Sequence, residues 1–252
     1  KRNLIDNSEI LSPGTVDRAF SPKAGLVFMP NDNLSLFATY TNSFAPNSGM
    51  DVQNNALKPS IIDQFEVGMK KNFWKNAVAL NFSAYQIVNQ NYYQMAVLKA
   101  DGTPNTDSTL KEFAGKMRSR GAELDITGNP TSYLSLIAGV SYNHAVYLET
   151  PANFGFVENQ RLVRTPATTA NASVFYTFPK FAKGLKLGAS FYFIGDRLAG
   201  WNDTKATLDS RNGKTRVIKL DDYTTTALSF GYDAKKFSIM AKVSNLFDVK
   251  NY

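Results

Sequence analysis

Aromatic and arginine side chains recur in the long polar segments that separate the apolar stretches of the chain. These candidate binding residues are Tyr92, Tyr93, Phe154, Phe156, Arg161, Arg164, Arg197, Trp201 and Arg211. Rings offer flat apolar surfaces, and each guanidinium offers paired N–H donors in a fixed fork. Together they offer apolar contact and charge-assisted hydrogen bonds to a ligand. The same residues would also serve to pack the loops together.

No constellation in the sequence indicates catalysis. His144 is the only histidine, and no Ser is placed with it to predict a nucleophilic triad, so a structural or lumen-lining role is expected. Glu123 and Asp125 alternate on one face of an apolar segment with Arg118 and Arg120 close by in sequence. Acid–base work is conceivable there, but salt bridging across a polar wall is the favoured interpretation. The sequence predicts a protein that is not an enzyme and has no catalytic residues.

Metal and cofactor motifs are also missing from the sequence. The chain has no cysteine, which excludes disulfides, thiolate zinc sites and iron–sulfur clusters. Asp101, Asn105 and Asp107 offer oxygen ligands for calcium, but their spacing matches no firm motif, so a polar loop is favoured. Gly-rich phosphate loops are absent. We therefore predict no metal site and no resident cofactor.

Charge and composition restrict the class of protein. The 28 Lys and Arg residues outnumber 21 Asp and Glu, giving a net charge of +7, but they are scattered, so nucleic acid is not predicted as a partner. No window approaches the roughly 18 uninterrupted apolar residues of a membrane helix. Strands that cross a membrane alternate instead, and their hydropathy averages out. The aromatic content of 13% favours such strands.

Apolar and polar residues alternate along about ten segments, which is the period of a strand with one apolar and one wet face. The predicted strands are 20–29, 34–41, 62–73, 78–95, 118–127, 134–142, 169–178, 185–194, 223–232 and 237–243. Short turns and long polar loops (45–60, 99–115, 148–164 and 200–218) connect them in strict alternation. That regularity is typical of an antiparallel transmembrane β-barrel, with turns on one side and loops on the other. A soluble β-sandwich is the competing interpretation.

Aromatic residues lie at both ends of the predicted strands. Those next to the short turns are Phe28, Phe73, Trp74, Tyr133 and Phe178; those towards the long loops are Phe44, Tyr92, Tyr93, Tyr147 and Tyr192. Two such bands are expected at the two lipid–water boundaries of a membrane.

Several segments, in order along nearly the whole chain, resemble the TonB-dependent outer-membrane siderophore receptor family. They are Ser21–Phe28 with Asn33–Tyr40, Ser43–Pro46, Leu57–Pro59 with Gln64–Gly68, Ser119–Asp125, Thr165–Asn171 and Asn245–Asp248. Ala167 and Thr168 depart from the family's pattern. Any one match is weak, and the combination is specific.

The resemblance implies that residues 1–252 form the C-terminal portion of a roughly 22-stranded barrel. The plug domain, the early strands and the last strand are expected to lie outside the sequence, as is the segment that engages TonB, and no signal peptide is recognised at Lys1. About ten strands with two open edges need completion by that missing sequence, because unpaired backbone groups cannot face lipid.

The function implied is active uptake of a ferric siderophore across the bacterial outer membrane. Its partners would be the siderophore, the TonB complex, and the lipid and lipopolysaccharide of that membrane, with iron carried inside the ligand. Alternatives are a receptor of the same family for cobalamin, haem or an oligosaccharide, a passive porin-like barrel, and a soluble β-rich binding module.

Overall fold

The segments with alternating apolar and polar side chains form β-strands, and most of these strands belong to one antiparallel sheet. The computed structural model describes residues 20–96, 99–150, 158–180, 182–201 and 217–250. Its strands are β1 (Lys23–Asn31), β2 (Leu34–Ala45), β3 (Met50–Asp51), β4 (Ser60–Phe73), β5 (Val78–Met95), β6 (Leu110–Thr131), β7 (Leu134–Glu149), β8 (Thr168–Thr177), β9 (Leu185–Ile194), β10 (Arg197–Trp201), β11 (Val217–Leu220), β12 (Tyr223–Asp233) and β13 (Ser238–Val243). Among these residues no helix is long and apolar enough to cross a membrane.

The strands of the main sheet follow each other as a meander. Its path runs β1-β2-β4-β5-β6-β7-β8-β9-β12-β13, and β3 pairs with β6 off this path, while β10 and β11 form a separate hairpin. Within the described chain, β1 and β13 are the two edges, so this part of the wall is open. The prediction of about ten antiparallel strands in a partial barrel is confirmed. Its completion by sequence outside the chain stays a prediction.

The alignment of residues across neighbouring strands defines two faces of the sheet. One row across six neighbouring strands joins Leu36, Met69, Phe82, Leu124, Val140 and Ala170. We name the face that carries this row the apolar face. The next row joins Ser35, Lys70, Asn81, Asp125, Gly139 and Asn171 on the opposite side. We name that side the polar face.

No part of the chain that the structure describes forms a layer over the apolar face. Phe82 is 39% exposed and Val67 54% exposed in the middle of their strands. Aromatic rings lie near the ends of the apolar face. At the end next to the long connections, the ring centroids of Tyr40 and Phe65 are 4.7 Å apart. Along β7 the apolar face runs from Leu134 to Tyr142, which matches the roughly 9–11 residues that a tilted strand needs to cross a bilayer. A row sandwiched against a second layer, as in a soluble sandwich, is thus excluded for these strands.

Short turns and long connections alternate as predicted. In the turn after β4, Trp74, Lys75 and Asn76 have φ angles of 49°, 55° and 68°, and Ala77 N donates to Trp74 O at 3.1 Å. Successive left-handed residues match the twist of the strands that they join.

Three elements lie in segments that the sequence predicts as loops. β6 begins at Leu110 rather than at Arg118, because its first residues pair with the far end of β5, from Tyr92 to Met95. The β10–β11 hairpin and the short β3 are the other two. Residues 110–117 lack clean alternation, so only the pairing of the folded chain reveals them as a strand.

The final motif of the resemblance forms a closed turn after β13. Asn245 has a φ of 50°, its Nδ2 donates to Val249 O at 3.0 Å, and its Oδ1 accepts from Val249 N at 2.9 Å. Asp248 N donates to Asn245 O at 3.0 Å. An asparagine serves here because it tolerates the left-handed conformation and satisfies both backbone groups of Val249.

Candidate functional site

Strands β5, β6 and β7 continue past the apolar face and meet the long connections. We name this region the long-loop rim; it comprises residues 46–60, 89–96, 99–117, 143–150, 158–167 and 195–201. Val146 is 1% exposed and Tyr147 3% exposed there, whereas large apolar residues such as Val67 and Phe82 are exposed in the middle of their strands. Loops that are packed in this way form a pre-organised surface rather than a set of free tails.

The segment 46–60 is fastened across the end of β5. Asn47 Nδ2 donates to Lys58 O at 2.7 Å, and Ser60 Oγ donates to Asn91 O at 2.8 Å. Asn91, with a φ of 57°, returns a bond from Nδ2 to Pro59 O at 3.0 Å. The segment then adds β3 to β6 as a parallel strand, at Met50 and Leu110.

Tyr93, a predicted binding residue, lies under this segment. Its hydroxyl accepts a hydrogen bond from Lys58 N at 3.3 Å. The hydroxyl is thus engaged in fastening the loop, and the ring is half-buried.

The polar loop between β5 and β6 uses its acidic residues as turn elements. Asp101 accepts from Thr103 N and Thr103 Oγ1, and Asp107 accepts in the same way from Thr109. These bonds lower the pKa of both carboxyl groups. Asn105 donates to Ala96 O and Asp107 O at 2.9 Å each. The favoured polar-loop interpretation of these three residues accounts for their contacts.

Tyr147 and Tyr92 lie together on the polar face of the rim. Tyr147 is opposite Met117 in register, and Tyr92 is opposite Gly115. Burial, followed by the electrostatic effect of Tyr92, raises the pKa of Tyr147 to about 12. Tyr147 was expected at a membrane boundary and instead lies buried in the rim, because β7 continues beyond the apolar face.

Three of the predicted arginines lie on the two connections that the Arg161–Asp196 ion pair joins. Arg161 pairs with Val146 in an isolated antiparallel bridge, and its Nη1 lies 2.6 Å from Asp196 Oδ2. Arg164 N donates to Leu198 O at 2.6 Å, and its side chain is exposed. The Arg197 guanidinium carbon lies 5.3 Å from the centroid of the Tyr223 ring. The site therefore offers an exposed guanidinium, a paired one and one stacked on a ring.

The remaining predicted binding residues are less defined. Trp201 pairs with Val217 through its backbone in the β10–β11 hairpin. Phe154, Phe156 and Arg211 lie outside the described residues. Asp196 and Tyr223, which position two of the arginines, were missed by the sequence reasoning; nothing local marks them, because each is close to its arginine only in the fold.

The predicted bridging of Glu123 and Asp125 to Arg118 and Arg120 is wrong. Even-numbered residues of β6 share the apolar face with Leu124, whereas Glu123 and Asp125 lie on the polar face. Arg120 Nε instead donates to Gln86 Oε1 at 2.6 Å. His144 is opposite Arg120 and exposed on that same face, so it does not line the polar face.

The polar face between the strands carries a shallow polar pocket. Its lining includes Phe37, Glu66, Lys70, Glu123 and Asp125. Lys70 Nζ lies 5.7 Å from the centre of the Phe37 ring. Among the described residues, no group of three or more His, Asp or Glu side chains is arranged to hold a metal ion.

A single antiparallel meander with one apolar face, one polar face and a rim of long loops is the wall of a membrane-type β-barrel. Residues 4–246 match the family described as TonB dependent receptor-like, beta-barrel. The chain therefore belongs to the TonB-dependent receptor β-barrel family, a family of receptors. The prediction made from the resemblance is confirmed.

Among curated relatives, the metal-pseudopaline receptor CntO of Pseudomonas aeruginosa is 27% identical over 237 residues, covering 93% of this chain and 30% of the relative. The ferrioxamine receptor of Yersinia enterocolitica is 25% identical over 209 residues, covering 82% and 27%. The chain thus spans about 30% of the length of the first relative.

Solved structures show the same fold. The ferripyoverdine receptor of the outer membrane of Pseudomonas aeruginosa, bound to ferripyoverdine, superposes with a TM-score of 0.70 at 21% identity, covering 96% of this chain and 30% of that one. The siderophore receptor PiuA of Acinetobacter baumannii gives 0.68 at 18% identity, covering 91% and 32%.

Proposed function

We propose that this chain forms part of the wall of a TonB-dependent transporter that takes up a ferric siderophore across the bacterial outer membrane. The observation that carries the proposal is the family match over residues 4–246, together with relatives that are named as receptors for metal–pseudopaline, ferric pyoverdine and ferrioxamine. Iron is the cargo and arrives inside its ligand, so the protein needs no resident cofactor. The partner that supplies energy is the TonB complex.

The faces of the sheet support an outer-membrane location. Exposed apolar residues such as Val67 and Phe82 are stable against hydrocarbon, and neighbouring strands pair along their length, as β4 and β5 do from Ile61 with Gln90 to Phe73 with Val78. The polar face, with Lys70, Glu66 and Asp125, suits a wet interior.

The long-loop rim supports the ligand site. Arg161 and Arg164 lie on the segment whose backbone bonds Tyr147, Tyr92 lies beside Tyr147, and Arg197 follows Asp196, the partner of Arg161. Guanidinium groups bind the oxygens of catecholate, hydroxamate or carboxylate ligands, and rings cover their apolar parts. Tyr93, Trp201, Phe154, Phe156 and Arg211 complete the proposed ligand-binding set.

The test is uptake of radioactive iron by a deletion strain that carries the full-length gene. Ferric pyoverdine, ferrioxamine B, haem and labelled cobalamin are supplied one at a time, with and without TonB. We expect TonB-dependent uptake of a ferric siderophore and silence in planar bilayers. Uptake of haem or cobalamin alone would show that the substrate is not a ferric siderophore. Steady conductance without TonB would show that the protein is a passive pore instead.

A matched pair of variants tests the site. Arg164→Gln removes the exposed guanidinium of the rim, and Lys235→Gln removes a cation beside a short turn at the other end of the strands. We expect Arg164→Gln to weaken siderophore binding by about tenfold, the worth of one charge-assisted hydrogen bond, and Lys235→Gln to leave it unchanged. Equal siderophore affinities of the two variants would show that Arg164 is not part of the binding site.

A further inference from the structure

On one face of β6, basic residues lie next to the apolar residues, on the side of the long-loop rim. On the apolar face this strand carries Lys116, Arg118 and Arg120, followed by Ala122, Leu124 and Ile126. The register confirms the shared face, because Leu124 and Ala122 are opposite Phe82 and Ala84. Three alternate positions of a strand extend about 13 Å, so the cations form a vertical row directly above the apolar surface.

The neighbouring charges leave two of these cations available. Lys116 Nζ lies 3.7 Å from Glu149 Oε1, which partly neutralises it. Asp63, on the same face, is held by Tyr40 Oη and Asn42 Nδ2 at 2.8 Å each. In the described part of the chain neither Arg118 nor Arg120 is within ion-pair distance of a carboxylate.

The two arginines are presented differently. Arg120 is exposed, and its Nε donates to Gln86 Oε1 at 2.6 Å, which restrains the guanidinium through one nitrogen and leaves its two terminal nitrogens as further donors. Arg118 is half-buried, and its Nε has no hydrogen-bond partner among the described residues. A residue pair of this kind, above a surface for acyl chains, fits a ligand that joins phosphate groups to hydrocarbon.

We propose that Arg118 and Arg120 bind phosphate groups of lipopolysaccharide, with its acyl chains lying against Ala122, Leu124 and Ile126. The inference rests on the proposed function, since it requires the long-loop rim to face the cell exterior, where the outer leaflet consists of lipopolysaccharide. Two guanidinium forks favour a lipid with more than one phosphate over a phospholipid with a single phosphodiester. The site lies on the opposite side of the sheet from the proposed siderophore site.

The experiment compares the full-length receptor with two double variants, purified in mild detergent. Arg118→Gln with Arg120→Gln removes the two cations of the site, and Lys75→Gln with Lys235→Gln removes two cations beside the short turns. Retained lipopolysaccharide is quantified from its sugar acid, and the affinity of the delipidated receptor for diphosphorylated lipid A is titrated against phosphatidylglycerol. Outer-membrane fractionation and heat-modifiable migration report folding.

We expect the Arg118 and Arg120 variant to lose lipid A affinity by about tenfold or more, from roughly a fivefold contribution of each basic residue, and the short-turn variant to keep it. Siderophore uptake should be unchanged in both. Equal lipid A affinity in all three folded proteins would overturn the inference while leaving the transporter intact. Equal competition by phosphatidylglycerol would overturn the choice of lipopolysaccharide. Absence of the wild-type protein from the outer membrane would overturn the transporter and the lipid site together.

Discussion

Arg161 and Asp196 join two long connections that are 35 residues apart in sequence. Arg161 Nη1 lies 2.6 Å from Asp196 Oδ2, and Arg161 Nη2 donates to Asp196 O at 2.8 Å. Because Arg161 also pairs with Val146 of β7, the contact fixes the segment after β7 against the start of β10. The geometry of the arginine site thus depends on this pair.

Asp196→Asn should loosen the rim without unfolding the barrel wall. Both side chains are partly exposed, so we expect a loss of less than about 1 kcal/mol in global stability. Hydrogen exchange followed by mass spectrometry should show faster exchange in residues 158–164. Asp222→Asn, an exposed carboxylate before β12, is the control. Equal protection of 158–164 in wild type and Asp196→Asn would show that the ion pair does not hold this segment.

Adjacent residues of β5 test which face meets lipid. Phe82→Lys places a charge on the apolar face and should cost about 2–4 kcal/mol of stability in phospholipid vesicles. Ser83→Lys places the same side chain on the polar face, opposite Glu123, and should cost less than about 1 kcal/mol. Urea unfolding of the full-length receptor measures both. Similar costs for the two variants would contradict the assignment of the faces.

The faces could be predicted from sequence because a period of two is local and repeats over ten strands. Pairing between residues far apart in sequence could not be predicted in this way. For that reason β6 is longer than its alternation predicts, and the role of Asp196 was not predicted. Arg118 and Arg120 are a different case. Their positions are even, like that of Leu124, so alternation alone places them on the other face of the strand from Glu123 and Asp125, although they are close in sequence.

Asp233 should make the β9–β12 contact sensitive to acid. Lys186 Nζ lies 2.5 Å from Asp233 Oδ2, and hydrogen bonds from Lys186 and then from Ser238 lower the pKa of Asp233. A lowered folded-state pKa gives stability that is present above the ordinary value of about 3.9 and is lost as pH falls through the folded value.

The wild type should therefore exceed Asp233→Asn in its urea midpoint at pH 7, and the difference should shrink as pH falls below the ordinary carboxyl pKa of about 3.9. Asp248→Asn, a carboxylate outside this contact, provides the control for general acid effects. A difference between wild type and Asp233→Asn that stays constant with pH would show that the carboxylate charge does not contribute.

Gly115 allows the tips of β6 and β7 to approach each other. Its φ is 108°, and a Cβ at this position would lie 1.6 Å from Glu149 O, whereas a Cβ on Gly102, with a φ of 81°, would meet nothing within 4 Å. Gly115→Ala should destabilise the protein by more than about 2 kcal/mol, from strain and clash together, and Gly102→Ala by about 1 kcal/mol, from strain alone. Gly115→Ala should also displace Tyr92, which is opposite Gly115, and through it Tyr147, and so weaken siderophore binding. Gly102→Ala should leave siderophore binding intact. Urea unfolding measures the effect on stability and binding titration the effect on affinity; equal behaviour of the two alanine variants would mean that the rim tolerates separation of these strand tips.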